Sequence, residues 1–182
     1  MKRIIWGTIA TAATATALTG FAATANAGQT TTGQAATGQA TTGRAAPHCT
    51  TSKLKASLSD FDAGAGQRYL TLALTNISKS ACTTGGWSGL GQADAKGAIP
   101  TTTVREGKAH TITIPAGHSA YEVLHWAAVP ADDETGDPCE PVPTTLRVIP
   151  PNETTRLTAP WNYGAVCQHG SIRLTPLTLT HP

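Results

Sequence analysis

Charge and aromatic side chains are both scarce in this chain: 13% of its 182 residues are Asp, Glu, Lys or Arg, and 5% are Phe, Trp or Tyr. So little charge excludes a coiled coil, whose helices depend on flanking ionic residues. Thirteen basic residues against eleven acidic ones give a formal charge of +2, with no basic stripe to follow a phosphate backbone, so no nucleic-acid partner is expected. No window shows a capped, 3.6-residue apolar period, and beyond the first residues no apolar run is long enough to span a bilayer. What is plentiful is Gly (18), Pro (12) and Thr, a composition that argues against a helical bundle. The length suits one ordinary domain.

The first residues read as a targeting segment. Lys2-Arg3 precedes Ile4-Ile5-Trp6 and an Ala/Thr-rich apolar stretch through Ala23, which ends in Ala25-Asn26-Ala27 before Gly28. A basic start, an apolar centre and an A-x-A site define a secretory signal peptide over 1–27, so the protein is expected to be secreted and extracellular. Cleavage there removes Lys2 and Arg3 and no acidic residue, leaving eleven basic and eleven acidic groups. The net charge falls to zero, and no attraction to membranes or nucleic acids remains. The first cysteine, Cys49, is too far from the cleavage site to carry a lipid. Residues 28–48 form a leader, mostly the degenerate repeat GQTTTGQAATGQATTGRAA. It has no large apolar side chain with which to offset the entropy of ordering, so it is expected to be a flexible spacer.

From Cys49 to Pro182 the pattern has period two. Leu54, Ala56 and Leu58 alternate with polar residues, as do Leu70, Leu72 and Leu74, Ile112 and Ile114, Leu146 and Val148, and Ile172 and Leu174. Leu124 and Trp126 share one face of a strand whose other face carries Tyr121, Val123 and His125. Alternation of this kind gives a sheet one dry face. Turn residues interrupt it at Asp62-Ala-Gly-Ala-Gly66, Gly85-Gly86, Pro115-Ala-Gly117, Gly136-Asp-Pro138 and Pro150-Pro151. Seven to nine short antiparallel strands are expected, forming an all-β, immunoglobulin-like sandwich; a jelly roll or small barrel is the alternative.

Cys49, Cys82, Cys139 and Cys167 are an even set in an exported chain, which points to two disulfides with three possible pairings. The sequential pairing, Cys49–Cys82 and Cys139–Cys167, lets each half close on itself. The lack of any C-x-x-C pair argues against a zinc site.

The ordered segments AGAGQRYLTLALTNISKSACTTGGWSGLGQAD, PAGHSAYEVLHWAAV, CEPVPTTLRVIPPNETTRLTAPW and VCQHGSIRLTPL resemble the secreted actinobacterial family called domain of unknown function 4232. The resemblance covers nearly all of 49–182. It implies a β-sandwich with sequential disulfides, and it transfers no catalytic residue because the family has no assigned activity. One departure stands out: Gly86-Trp87-Ser88-Gly89 replaces the family's usual Gly-Tyr-Pro-Gly turn.

No motif names a chemistry. Gly86-Trp87-Ser88-Gly89-Leu90 fails the G-x-S-x-G spacing of a nucleophile elbow at Leu90 and reads as a Gly-rich turn. His110, His118, His125 and His169 have no metal-ligand spacing. Asp132, Asp133 and Asp137 in the acidic loop are candidate calcium ligands, although a solvated turn is the default for such a run. A glycosidase pair requires two of Glu122, Glu134, Asp137 and Glu140 to face each other. The sequons at Asn76 and Asn152 are read as coincidental matches. Trp126 reads as core. Trp87, Trp161 and Tyr163 lie in Gly/Pro-rich loops and are the candidate ligand-binding residues, with covering the sandwich end as their alternative role.

The expectation is therefore a secreted, monomeric, non-enzymatic β-sandwich module with no cofactor, whose partner is an extracellular protein or a cell-wall glycan. A secreted hydrolase with loop-borne carboxylates or histidines is the alternative.

Overall fold

The structure is a computed structural model that describes residues 45–182. The expected signal peptide (1–27) and all but the last four residues of the expected leader (28–48) lie outside the described residues. Eleven strands follow in order: β1 (Leu54–Gly64), β2 (Gln67–Asn76), β3 (Cys82–Thr84), β4 (Gly89–Asp94), β5 (Gly97–Ile99), β6 (Thr102–Arg105), β7 (Ile112–Ile114), β8 (Ser119–Ala127), β9 (Thr145–Ile149), β10 (Leu157–Pro160) and β11 (Ser171–Leu174). They form a five-stranded sheet, β1-β2-β8-β11-β6, a four-stranded sheet, β10-β9-β4-β5, and a small β3-β7 ribbon. This is the expected immunoglobulin-like β-sandwich. The pairing is antiparallel apart from one parallel edge, β6 beside β11.

Eleven strands exceed the seven to nine expected from the pattern. The additional ones are short or carry no apolar alternation. β3 and β5 have three residues each, and β4 reads Gly-Leu-Gly-Gln-Ala-Asp. The Gly-rich stretch expected as a turn is thus a turn only up to Ser88, and Gly89–Gly91 pair with β9. Backbone pairing alone holds such segments, so hydropathy does not reveal them.

The register explains the core. Across the five-stranded sheet, Leu58, Leu72 and Glu122 share one inward row, Leu70, Leu124 and Leu174 the next, and Arg68, Trp126 and Ile172 a third. The facing sheet contributes Leu146, Val148, Leu90 and Leu157. Most of these side chains are fully buried, and each buried Leu or Val stabilises the fold by about 1.5–3 kcal/mol relative to exposure. The β1–β2 hairpin closes through Ala65 and Gly66, both at positive φ, the type I′ geometry that matches strand twist. A bulge between Ser59 and Asp62 brings Phe61 against Trp126 and Tyr163.

Both disulfides adopt the sequential pairing, Cys49–Cys82 and Cys139–Cys167. The first staples the β3–β7 ribbon to the entering chain. There the Thr83 N–H donates to the Pro47 carbonyl and the Cys49 N–H to the Thr83 carbonyl, so Pro47 and His48 also pair with the ribbon. The second joins the acidic loop to the segment before β11.

With sequence separations of 33 and 28, each crosslink should contribute about 3–4 kcal/mol by the chain-entropy model. Urea denaturation of a Cys49→Ala/Cys82→Ala double variant is expected to show a loss of that size with an intact sheet signature by circular dichroism.

Candidate functional site

Two polar arrangements emerge from this frame, one inside the sandwich and one at its cystine-closed end. The internal one is centred on Glu122. Its parity on β8 is that of Leu124 and Trp126, so it points into the core, where it is 1% exposed. One carboxyl oxygen accepts the Ser88 N–H at 2.9 Å, and the other has no hydrogen-bond partner. Burial pushes its pKa up to about 7, against the opposing pull of Ser88 and Arg105. The Pro of the family's Gly-Tyr-Pro-Gly turn has no N–H to offer. The Glu122 contact therefore depends on a residue with a main-chain N–H at position 88. The same turn is held by the Leu177 N–H on the Gly86 carbonyl and by Trp87, whose Nε1 donates to the Glu106 carbonyl at 3.0 Å. Arg105 lies over the Trp87 ring, 5.8 Å from its centroid. Trp87 is half-buried against the core.

The second arrangement begins with four rings. Trp126 and Trp161 pack with centroids 5.0 Å apart, Tyr163 meets Trp161 edge-on at 5.3 Å, and Phe61 meets Tyr163 at 5.0 Å. Trp161 is 1% exposed and donates its indole N–H to the Gly164 carbonyl. Its role is therefore to cover the sandwich end, and it has no face for a ligand. Tyr163 is half-buried and reaches a groove of about 350 Å³, bounded also by Arg68, Pro130, Asp137, Pro138 and the Cys139–Cys167 disulfide. The sequence reading passed over Arg68. It sits in the inward row beside Trp126, beyond the last apolar residue of β2, and its guanidinium donates to its neighbour's carbonyl, that of Gln67. Among the described residues neither Arg68 nor Asp137 forms a salt bridge.

A broader depression of about 410 Å³ crosses the outer face of the five-stranded sheet between Gln67, His125, Arg173 and Glu106. These four side chains are already matched in pairs. Arg173 bonds Glu106 at 2.9 Å, and His125 bonds Gln67 at 2.7 Å while stacking on Tyr69.

The acidic loop is organised differently from the expected calcium set. Asp132, Asp133 and Asp137 do not converge as ligands among the described residues; the side chains that do are Glu134, Glu140 and His169. Glu134 has a structural duty there. It accepts the backbone N–H groups of Ala131, Gln168 and His169, which satisfies the left-handed turn at Gln168 and His169. Those bonds, that of His169 foremost, lower its pKa. Of the carboxylates weighed as a glycosidase pair, Glu134 and Glu140 are the two that come together, and the lowered pKa of Glu134 does not suit it to the general-acid role. Glu122, whose pKa is raised, is sealed in the core. His110 and His118 are exposed and apart from this loop. Asn76 is fully buried and spends its amide on the Ser80 and Ile114 carbonyls, which removes it as a glycan acceptor.

These features define an all-β sandwich closed by two disulfides, with a groove beside Tyr163 at one end. The chain matches domain of unknown function 4232 over residues 49–178, and it belongs to that family. No curated protein and no solved structure matches it.

Because Glu122 holds its proton more tightly when folded, its own contribution to stability should be greatest below the ordinary carboxyl pKa of 4.5, fall as pH rises towards about 7, and level off above it, whereas Glu134 and Glu153, whose pKa values are lowered, act in the opposite sense in acid. Glu122→Gln keeps an acceptor for Ser88 without the charge. Thermal melts are expected to show the variant gaining on the parent between pH 4.5 and 8, by on the order of 3 kcal/mol at the upper end.

Proposed function

We propose that this protein is a secreted, non-enzymatic binding module acting at the cell envelope or in the surrounding medium, and that the groove beside Tyr163 is its ligand site. One observation carries the reading. Tyr163 brings a rigid apolar face to the same groove as a cation and a carboxylate that have no ionic partner among the described residues. Aromatic rings offer contact area at small entropic cost, and charged groups with no existing ion pair to break can pair with a ligand's own polar groups, which offsets their desolvation. The groove rests on rigid supports: the disulfide behind it, the packed Trp161 beneath Tyr163, and the β2 strand carrying Arg68. Export accounts for the disulfides, which persist in oxidising surroundings, and no helix among the described residues is long and apolar enough to cross a membrane.

The test is retention of the purified protein on peptidoglycan, chitin and cellulose, and on the producer's secreted proteins immobilised as a mixture. Retention by at least one is expected, with Tyr163→Ala weakening it about tenfold. Retention by none, or retention that Tyr163→Ala leaves unchanged, overturns the reading.

A further inference from the structure

The groove's chemistry narrows its ligand, and the following rests on the proposed binding function. We infer that the groove captures the free carboxyl end of a peptide chain, with the terminal carboxylate on Arg68, the adjoining amide N–H on Asp137 and the last side chain against Tyr163.

Arg68 is the anchoring group. Its position on β2 is an inward one, opposite Trp126, where a sandwich ordinarily places an apolar residue. The side chain is half-buried, and its one hydrogen bond goes to a main-chain carbonyl. A guanidinium presents several donors in a planar fork that fits a carboxylate in bidentate fashion. With part of its solvent replaced by Tyr163, Pro130 and the cystine, that pairing is stronger than on an open surface.

Asp137 then selects among anions. It is exposed on the same groove, so a doubly charged phosphate or sulfate bound to Arg68 meets like-charge repulsion. A peptide terminus instead offers one negative charge with an N–H donor close by. The remaining walls, Tyr163, Pro130, Pro138 and the disulfide, are apolar and accept the last side chain. A volume of about 350 Å³ is at the small end for ligand sites, ~300–1,000 Å³. It holds the end of a chain better than a segment running through. The outer-face depression lacks these features, because its arginine is already paired with Glu106.

The C-terminus of a secreted protein and the carboxyl end of a cell-wall peptide share this chemistry. The experiment is fluorescence anisotropy on the full secreted chain, using N-terminally labelled hexapeptides that end in L-alanine or D-alanine, each as free acid and as C-terminal amide. Saturable binding of at least one free acid is expected, with amidation weakening it about tenfold or more. Preference for the L or the D form identifies the source. Arg68→Gln should reproduce the effect of amidation, while Arg68→Lys retains part of the affinity. The acid-versus-amide comparison uses the unaltered protein, so a poorly folded variant does not affect it. Equal binding of acid and amide, or no binding of any peptide, overturns the inference. If retention on a wall polymer or secreted protein still depends on Tyr163, the broader binding function stands without it.

Discussion

Trp126 packed against Trp161 is the contact on which the cystine-closed end depends. Trp126 comes from the middle of the five-stranded sheet, and Trp161 from the loop leaving β10 of the opposite sheet, so the two indoles join the layers where hydrogen bonding cannot. Tyr163 then has a floor to lean on. The bulge in β1 packs Phe61 against Tyr163, and the Cys139–Cys167 bridge keeps the acidic loop beside them. The groove forms where the acidic loop and the chain beyond β10 meet the start of β2, and the Cys139–Cys167 bridge ties the two loop segments together.

The other end and the middle of the sandwich carry polar groups inside. Asn76 is a satisfied one: its amide ties β2 to the chain around Ser80 and Ile114, next to the Cys49–Cys82 staple. Glu122 is only half satisfied, and its burial opposes stability at neutral pH. In return its carboxyl fixes the Gly86–Gly89 turn through the Ser88 N–H. The polar interior thus specifies loop positions that apolar packing, being non-directional, does not select.

Much of the fold was legible in the residues. Alternation at Leu70, Leu72 and Leu74 and at Leu146 and Val148 marks strands because burial on one face enforces period two. The turn at Ala65-Gly66 is readable because its backbone needs positive φ. Glu122 was readable too, since it shares parity with Leu124 and Trp126. Its residue type points to chemistry and its parity to the core, and parity decides. The short strands β3, β4 and β5 leave no such trace, because main-chain pairing is indifferent to their side chains.

By itself the sequence determined the class of fold, the membership of strands with alternating faces, and the cysteine set that closes it, since each follows from local periodicity or from composition. The tertiary structure decided what no local rule carries. It put Trp161 in the core and left Tyr163 at a groove. It turned Glu134 to backbone N–H groups in place of a calcium set at Asp132, Asp133 and Asp137, and it left Arg68 and Asp137 without ionic partners among the described residues, beside a disulfide. The physical reason is that ligand sites arise from residues distant along the chain. Arg68, Asp137 and Tyr163 meet only after β2, the acidic loop and the chain beyond β10 have packed together.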